Sequence, residues 1–250
     1  SVGKPNGAIY WTLVNDWLPV GLGDYRPQPF LWSQDSRTFY YTNVQAFDGC
    51  KALPTNGSDL WSVNIETGEI RQELPMVASF IALSRDESRL AYVEQGSLDL
   101  VFKNLHTGAE EHRLSLDPGR DFDAGALSWS PDGTLVVLTL ALNPCQNADI
   151  KKPPFAAATT VLMVNTLSYA EYRIVVNDPY RKVSSGWRSP DEVELADPDG
   201  KTFLYDIPHD LLKPYRTPVP EGVFPMVIFY EPLVLHYNTS LWIDQTQYAD

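Results

Sequence analysis

A short phrase recurs along this chain: a large apolar residue, a serine and an aspartate, followed by an aliphatic or aromatic stretch. Its copies start at Trp32, Leu83, Trp129 and Trp187, and the copy at 187 carries one inserted residue. Self-similarity with a period of about 20 to 50 residues marks a repeat architecture. The chain is therefore expected to fold as successive copies of one small unit.

Each phrase predicts a hairpin turn between two strands. In Ser130-Pro131-Asp132-Gly133, the proline presets φ, the aspartate can accept a hydrogen bond from the nearby backbone, and the glycine fits the last position without strain. Strands rich in β-branched, aromatic and aliphatic residues are predicted after the turn, at 38–44, 89–94 and 135–140. Third strands are predicted at 60–64, 100–104, 161–165 and 203–206.

Four strands per unit, with about 40 to 60 residues from copy to copy, is the sequence signature of a propeller blade. This pattern resembles the TolB-like propeller repeat, which is related to WD-type repeats and occurs in the amino-terminal propellers of the prolyl oligopeptidase family. The resemblance extends over most of the chain, although only Trp129 to Gly133 matches the phrase in full. It implies a protein-interaction platform.

We expect an all-β propeller forming a single domain over residues 1–250. Its blade units are predicted at 27–76, 77–120, 121–180 and 181–222, with a closing blade from 1–26 plus 223–250. Segments 9–14 and 17–22 read as a third and a fourth strand, whereas 226–230, 233–237 and 241–243 read as a first, second and third strand.

Five four-stranded blades closed by strands from both termini would remove the exposed sheet edges of an open ring. The predicted strands number one more than five blades need, so one strand is displaced in this arrangement. The alternative is a fragment of a six- to eight-bladed propeller, in which the missing strands belong to other parts of a longer protein.

The charge balance restricts the partners. The net charge is -13 and no basic patch occurs, which argues against nucleic acid and against anionic membrane surfaces. No apolar stretch approaches the roughly 18 residues of a membrane-spanning helix, so no direct membrane insertion is expected. A neutral or cationic protein partner is predicted.

The two cysteines lie in the two long loops predicted between second and third strands, at about 45–59 and 141–159. Cys50 and Cys145 either form a disulfide or remain two free thiols. A disulfide indicates an oxidising compartment, and the protein is accordingly expected to be extracytoplasmic: periplasmic, cell-surface or secreted. Ser1 is expected to be a processed terminus or the boundary of a cut segment, and a removed export signal leaves no trace in the sequence.

The same end of the predicted blades holds polar and aromatic residues in the loops and the blade-to-blade connections. These candidate ligand or partner residues are Asp24, Tyr25, Arg26, Phe47, Asp48, Arg120, Asp121, Phe122, Asp123, Asp178, Tyr180 and Arg181. Aromatic and arginine side chains would anchor a partner. Converging carboxylates would bind calcium or act as the acid and base of a glycosidase. As a third reading, the charged residues only cap loops and pair with one another.

Other chemistries lack their motifs. The four histidines have no His-Glu-x-x-His spacing, and no Gly-x-Ser-x-Gly elbow is present. Trp32, Trp129 and Trp187 hold the anchor position of the phrase and are predicted to pack between blades. Sequons occur at Asn56 and Asn238.

The predicted function is a non-catalytic TolB-like propeller that binds a protein partner through its loop-rich face, with no catalytic residue and no required cofactor. The first alternative is a five-bladed glycoside-active enzyme that uses the carboxylates of these loops and connections, which would make carbohydrate the ligand. The second is a detached sensor or receptor domain of a longer protein.

Overall fold

The computed structural model describes residues 2–3, 9–11, 25–45, 53, 55–116, 122–142, 159–174, 183–197, 201–215, 229–230 and 233–234. Within these ranges the secondary structure is entirely β, and no helix long and apolar enough to cross a membrane occurs. The strands are β1 (Val2–Gly3), β2 (Ile9–Trp11), β3 (Tyr25–Trp32), β4 (Thr38–Gln45), β5 (Leu60–Asn64), β6 (Ile70–Leu74), β7 (Ala78–Leu83), β8 (Arg89–Glu94), β9 (Leu100–Asn104), β10 (Glu110–Leu114), β11 (Phe122–Trp129), β12 (Leu135–Leu142), β13 (Thr159–Asn165), β14 (Glu171–Ile174), β15 (Val183–Ser189), β16 (Glu192–Ala196), β17 (Thr202–Asp206), β18 (Leu211–Tyr215), β19 (Phe229–Tyr230) and β20 (Leu233–Val234).

Sixteen of these strands form four antiparallel four-stranded sheets in which sequence neighbours pair. We number them blade 1 (β3–β6), blade 2 (β7–β10), blade 3 (β11–β14) and blade 4 (β15–β18). The third strands predicted at 60–64 and 100–104 are β5 and β9. The prediction of an all-β propeller is confirmed, whereas the division of the whole chain into five blades stays a prediction.

Burial explains why the inner strands are apolar and the outer strands are not. In β12 every residue from Val136 to Ala141 is buried, since neighbouring blades cover both faces of this strand. Strands buried on both faces read as continuous hydrophobic runs rather than as alternating ones. The fourth strand β10, with the sequence EEHRL, lies at the rim and is largely exposed.

Three hydrophobic clusters join consecutive blades. Leu60 and Tyr92 belong to the cluster between blades 1 and 2, whereas Phe102 and Leu138 belong to the one between blades 2 and 3. Val193 of blade 4 packs in the third cluster with residues of blade 3. The core therefore lies between the sheets, and each blade depends on its neighbours for its stability, as in other repeat folds.

The recurring Ser and Asp fasten the turn between the first and second strands. In blade 2, the Ser84 hydroxyl donates to Asp86 at 2.7 Å and accepts the Arg89 amide at 2.9 Å. The hydrogen bond from Ser84 is the main cause that lowers the pKa of Asp86. Equivalent bonds join Ser33 to Asp35 and Ser130 to Asp132, so the repeat of these two residues is explained by one turn geometry.

The anchor tryptophans of blades 3 and 4 connect each of these blades to the blade before it. The Trp129 indole N–H donates to the carbonyl of Ala82 at 3.0 Å, and the Trp187 indole N–H donates to the carbonyl of Ser128 at 3.3 Å. Trp129 is 8% exposed and Trp187 is half-buried, as expected of packing residues. Trp32 differs, since 37% of it is exposed although it contacts Phe39.

The first and last strands form separate hairpins. Residues 9–11, which lie within the predicted third strand 9–14, form β2 and pair antiparallel with β1. β19 pairs antiparallel with β20, which fits their predicted roles as first and second strands. The predicted strands at 17–22 and 241–243 lie outside the described residues.

Candidate functional site at the loop-rich face

Antiparallel pairing brings two kinds of connection to one end of the blades: the loops between second and third strands, and the segments that join consecutive blades. We call this end the mouth. The Ser-Asp turns and the turns between third and fourth strands lie at the opposite end. Long loops in a compact domain are disproportionately functional, so the mouth is the candidate functional site.

Asp59 fixes the end of the blade 1 loop. Its carboxylate is buried and accepts hydrogen bonds from the Asn43 amide at 2.7 Å, the Asn43 side chain at 2.7 Å and the Trp61 indole at 2.8 Å. The Thr42 hydroxyl donates to the Asp59 carbonyl at 2.6 Å. A carboxylate with three donors satisfies its hydrogen-bonding capacity well enough to be buried. Asp59 is therefore a structural residue of the mouth.

Asn56 clamps this loop to blade 2. Its side-chain amide donates to the Ile81 carbonyl at 2.7 Å, while its side-chain carbonyl accepts the Ile81 amide at 2.7 Å. This pair of bonds imitates the pairing of one strand with another. The side-chain nitrogen that a glycan would occupy is thus engaged in the folded protein, which speaks against modification of the Asn56 sequon after folding.

Backbone hydrogen bonds connect three mouth segments to one another. The Ser58 carbonyl accepts from the amides of Val77 and Ala78, at 3.0 Å each, in the connection between blades 1 and 2. The Val77 carbonyl in turn accepts the Gln95 amide of the blade 2 loop at 2.7 Å. Met76 stands beside these bonds with 47% of its surface exposed. The described part of the mouth is therefore an ordered surface with an apolar residue presented on it.

A cavity of about 60 Å³ lies beneath these loops. It is lined by residues of blades 1, 2 and 3: Leu53, Thr55, Ser79, Gln95, Gly96, Leu98, Asp123 and Ala124. Among the described residues, the buried Thr55 hydroxyl has no hydrogen-bond partner. A polar cavity of this size holds a few water molecules, whereas drug-sized ligands occupy roughly 300 to 1,000 Å³.

The blade 1 loop reaches as far as blade 3. Leu53 is 3% exposed, and its Cβ lies 3.4 Å from the position that a Cβ on Gly125 would take. The Phe80 ring approaches the same position to 3.0 Å, so a larger residue than glycine here would require the ring to shift. Leu53 is thus buried against the first strand of blade 3 at Gly125.

Four of the predicted site residues lie within the described ranges. Tyr25 and Arg26 begin β3, and Phe122 and Asp123 begin β11, which places all four at the mouth end of first strands. Asp123 lines the cavity. The remaining candidates lie outside the described residues: Asp24, Phe47, Asp48, Arg120, Asp121, Asp178, Tyr180, Arg181, Cys50 and Cys145.

Metal binding is not supported by the described ranges, in which no group of three or more His, Cys, Asp or Glu side chains is placed to hold an ion. The predicted calcium site depends mainly on aspartates outside these ranges and stays a prediction. The residues that sequence reasoning missed are Asn56, Asp59 and Thr55. Asn56 was visible only as a sequon, because nothing in the local pattern indicates its contact with Ile81.

No protein-family model matches the chain, and no curated protein matches it. The chain is, however, similar to several solved structures. An oligogalacturonate lyase in complex with manganese aligns with a TM-score of 0.55 at 14% identity over 74% of this chain and 51% of that one. An acylaminoacyl peptidase from Pyrococcus horikoshii aligns with a TM-score of 0.51 at 12% identity, over 78% and 33% of the two chains.

TolB from Acinetobacter baumannii is also among the similar structures, with a TM-score of 0.49 at 14% identity over 76% of this chain and 43% of that one. The chain spans about half the length of the oligogalacturonate lyase and a third of the peptidase. Identities this low carry information on fold alone. The chain has a propeller fold, in keeping with its likeness to the lyase and the peptidase.

Proposed function

We propose that the protein is a non-catalytic propeller that binds a protein partner through the mouth. The observation that carries this proposal is the network that holds the mouth segments together, above all the Asn56 clamp to Ile81 and the bonds of Ser58 with Val77 and Ala78. A surface that is ordered before binding loses little conformational entropy when a partner docks. Fixed loops on a rigid scaffold are a common form of recognition surface.

The chemistry of the exposed residues suggests the kind of partner. Met76 offers a polarisable, adaptable apolar contact of the kind used at binding surfaces. The net charge of -13 favours partners that are neutral or cationic. The association rate with a cationic partner should fall with rising salt, because electrostatic steering is screened.

The test is partner capture with matched surface variants. Met76→Glu changes the mouth, and Leu167→Glu makes the same kind of change at the opposite end, where Leu167 is 80% exposed. A specific partner should be retained by the wild type and by Leu167→Glu and lost by Met76→Glu. Equal retention by both variants, or loss through Leu167→Glu alone, would place binding elsewhere and contradict the proposal.

Carbohydrate binding or cleavage is the second candidate, favoured by the structural likeness to an oligogalacturonate lyase. Two observations weaken it. An oligogalacturonate is a polyanion, which a chain of net charge -13 would repel, and the described cavity of about 60 Å³ does not admit a sugar ring. Thermal unfolding with oligogalacturonate, with and without manganese or calcium, decides between the candidates, because saturation with a ligand of the folded state raises the midpoint.

We further propose an extracytoplasmic location, which rests on a disulfide between Cys50 and Cys145. Mass spectrometry after alkylation of the native protein tests this location. Alkylation of both cysteines before reduction would show that they form no disulfide and would leave the proposed location without support.

A further inference from the structure

Trp32 occupies the anchor position of blade 1, but it has no blade on its outer side within the described residues. The equivalent Trp129 is 8% exposed, whereas Trp32 is 37% exposed. Its ring contacts Phe39 of its own blade, with 5.2 Å between the ring centres and an interplanar angle of 55°. Since this position packs between blades elsewhere, an exposed tryptophan here indicates that a further segment packs against this face of blade 1.

Two consecutive blade pairs define the geometry of that interface. Trp129 donates its indole N–H to the carbonyl of Ala82, the residue before the Leu83 anchor of blade 2. Trp187 donates to the carbonyl of Ser128, the residue before the Trp129 anchor of blade 3. In both pairs the acceptor is therefore the carbonyl one residue before the anchor of the preceding blade.

The hairpin of β19 and β20 has the features of a preceding first and second strand. Tyr230 is followed two residues later by Pro232, as Trp129 is by Pro131. Tyr230 also pairs across the hairpin with the apolar Leu233. The anchors of blades 3 and 4 do the same, Trp129 with Val136 and Trp187 with Val193.

We propose that the Trp32 face of blade 1 is the docking surface for the β19–β20 hairpin of this same chain, with the Trp32 indole N–H donating to the backbone carbonyl of Phe229. Phe229 stands one residue before the anchor equivalent Tyr230, as the repeated geometry requires. The contact joins the last described strands to the first blade and closes the ring. Leaving the sheet face of blade 1 open would expose apolar surface that other propellers bury between blades.

The experiment is hydrogen exchange of the indole N–H groups in the full ¹⁵N-labelled chain, with the Trp32 signal assigned from Trp32→Phe. Docking predicts that the Trp32 indole exchanges at least tenfold more slowly than a free indole and falls in the range of Trp129. Exchange at the free rate would overturn the proposal.

Leu233→Pro tests whether the β19–β20 hairpin is the segment that covers Trp32, because proline at this position removes a backbone donor from the short hairpin. Docking predicts that exchange at Trp32 rises at least tenfold while exchange at Trp129 stays unchanged. Val234→Asp is the second variant if Leu233→Pro also exposes Trp129. Protection of Trp32 that survives both variants, or that disappears on dilution of the wild type, assigns the face to another segment or to a second copy and overturns the proposal.

Discussion

Replacing Trp129 by phenylalanine should loosen the interface between blades 2 and 3. The substitution removes the indole N–H that donates to the Ala82 carbonyl at 3.0 Å. The Ala82 carbonyl also faces Ala91 in the β7–β8 ladder, so it is not orphaned, and the loss of this one hydrogen bond costs about 0.5 to 1.5 kcal/mol. The Arg89 guanidinium lies 5.2 Å from the Trp129 ring, and a weaker cation–π contact with phenylalanine costs about 0.5 to 1 kcal/mol. Together, the free energy of unfolding should fall by about 1 to 2.5 kcal/mol.

Urea unfolding and calorimetry of the wild type and the variant measure this loss. For a chain of this length, about 2 to 4 °C per kcal/mol corresponds to a decrease in Tm of about 2 to 10 °C. Trp187→Phe is the matched control, since its indole bond is longer, at 3.3 Å, and its ring is only half-buried. A loss below about 0.5 kcal/mol for Trp129→Phe, within the range of ordinary surface substitutions, or a larger loss for Trp187→Phe, would refute the reasoning.

Three further changes test the mouth and the turns. Asn56→Asp replaces the side-chain N–H donor by a carboxylate oxygen, which then faces the Ile81 carbonyl. Urea unfolding should show that the free energy of unfolding falls by about 1 to 3 kcal/mol; unchanged stability would show that the Asn56 clamp does not stabilise the fold. Gly57→Ala would bring a Cβ within 1.9 Å of the Thr42 hydroxyl oxygen, and should lower Tm by several degrees through overpacking, about 1 to 3 kcal/mol; an unchanged Tm contradicts the tight fit. The hydrogen bond from Ser84 lowers the pKa of Asp86. The ionised Asp86 side chain therefore stabilises the fold above pH 3.8, the ordinary pKa of aspartate, and this stabilisation is lost as the pH falls through the lowered pKa. Asp86→Asn should therefore flatten the decline in stability below about pH 4, and an acid titration with an unaltered slope would count against this assignment.

The sequence allowed the repeat to be recognised because the fastening of each turn is local. Ser84, Asp86 and Arg89 lie within six residues of one another, and their spacing is repeated wherever the same turn is needed. The strand pattern was equally readable, since burial of middle strands on both faces imposes apolar runs such as β12. Prediction therefore succeeded for the turns and strands of blades 1 to 4 and for the propeller class.

The contacts that build the mouth could not be predicted in the same way. Asn56 bonds to Ile81, 25 residues away, and nothing in its neighbours specifies that partner. Tyr169 shows the same limit at the opposite end. It adopts a positive φ of 57° where blades 1 and 2 have Gly68 and Gly108, and its ring stacks on His112 of blade 2 at 3.8 Å. Such contacts depend on which blade stands beside which, and single-sequence patterns do not carry that information.

The most direct test of the proposed binding face is amide hydrogen exchange of the full chain, because a mouth that is ordered before binding must protect its own amides. The decisive amides are those of Val77, Ala78, Ile81 and Gln95, all of which donate within the mouth. We predict that they exchange as slowly as the amides of the central strand β8. Exchange of these four amides at the rate of an unstructured peptide, while β8 stays protected, would contradict a preorganised recognition surface.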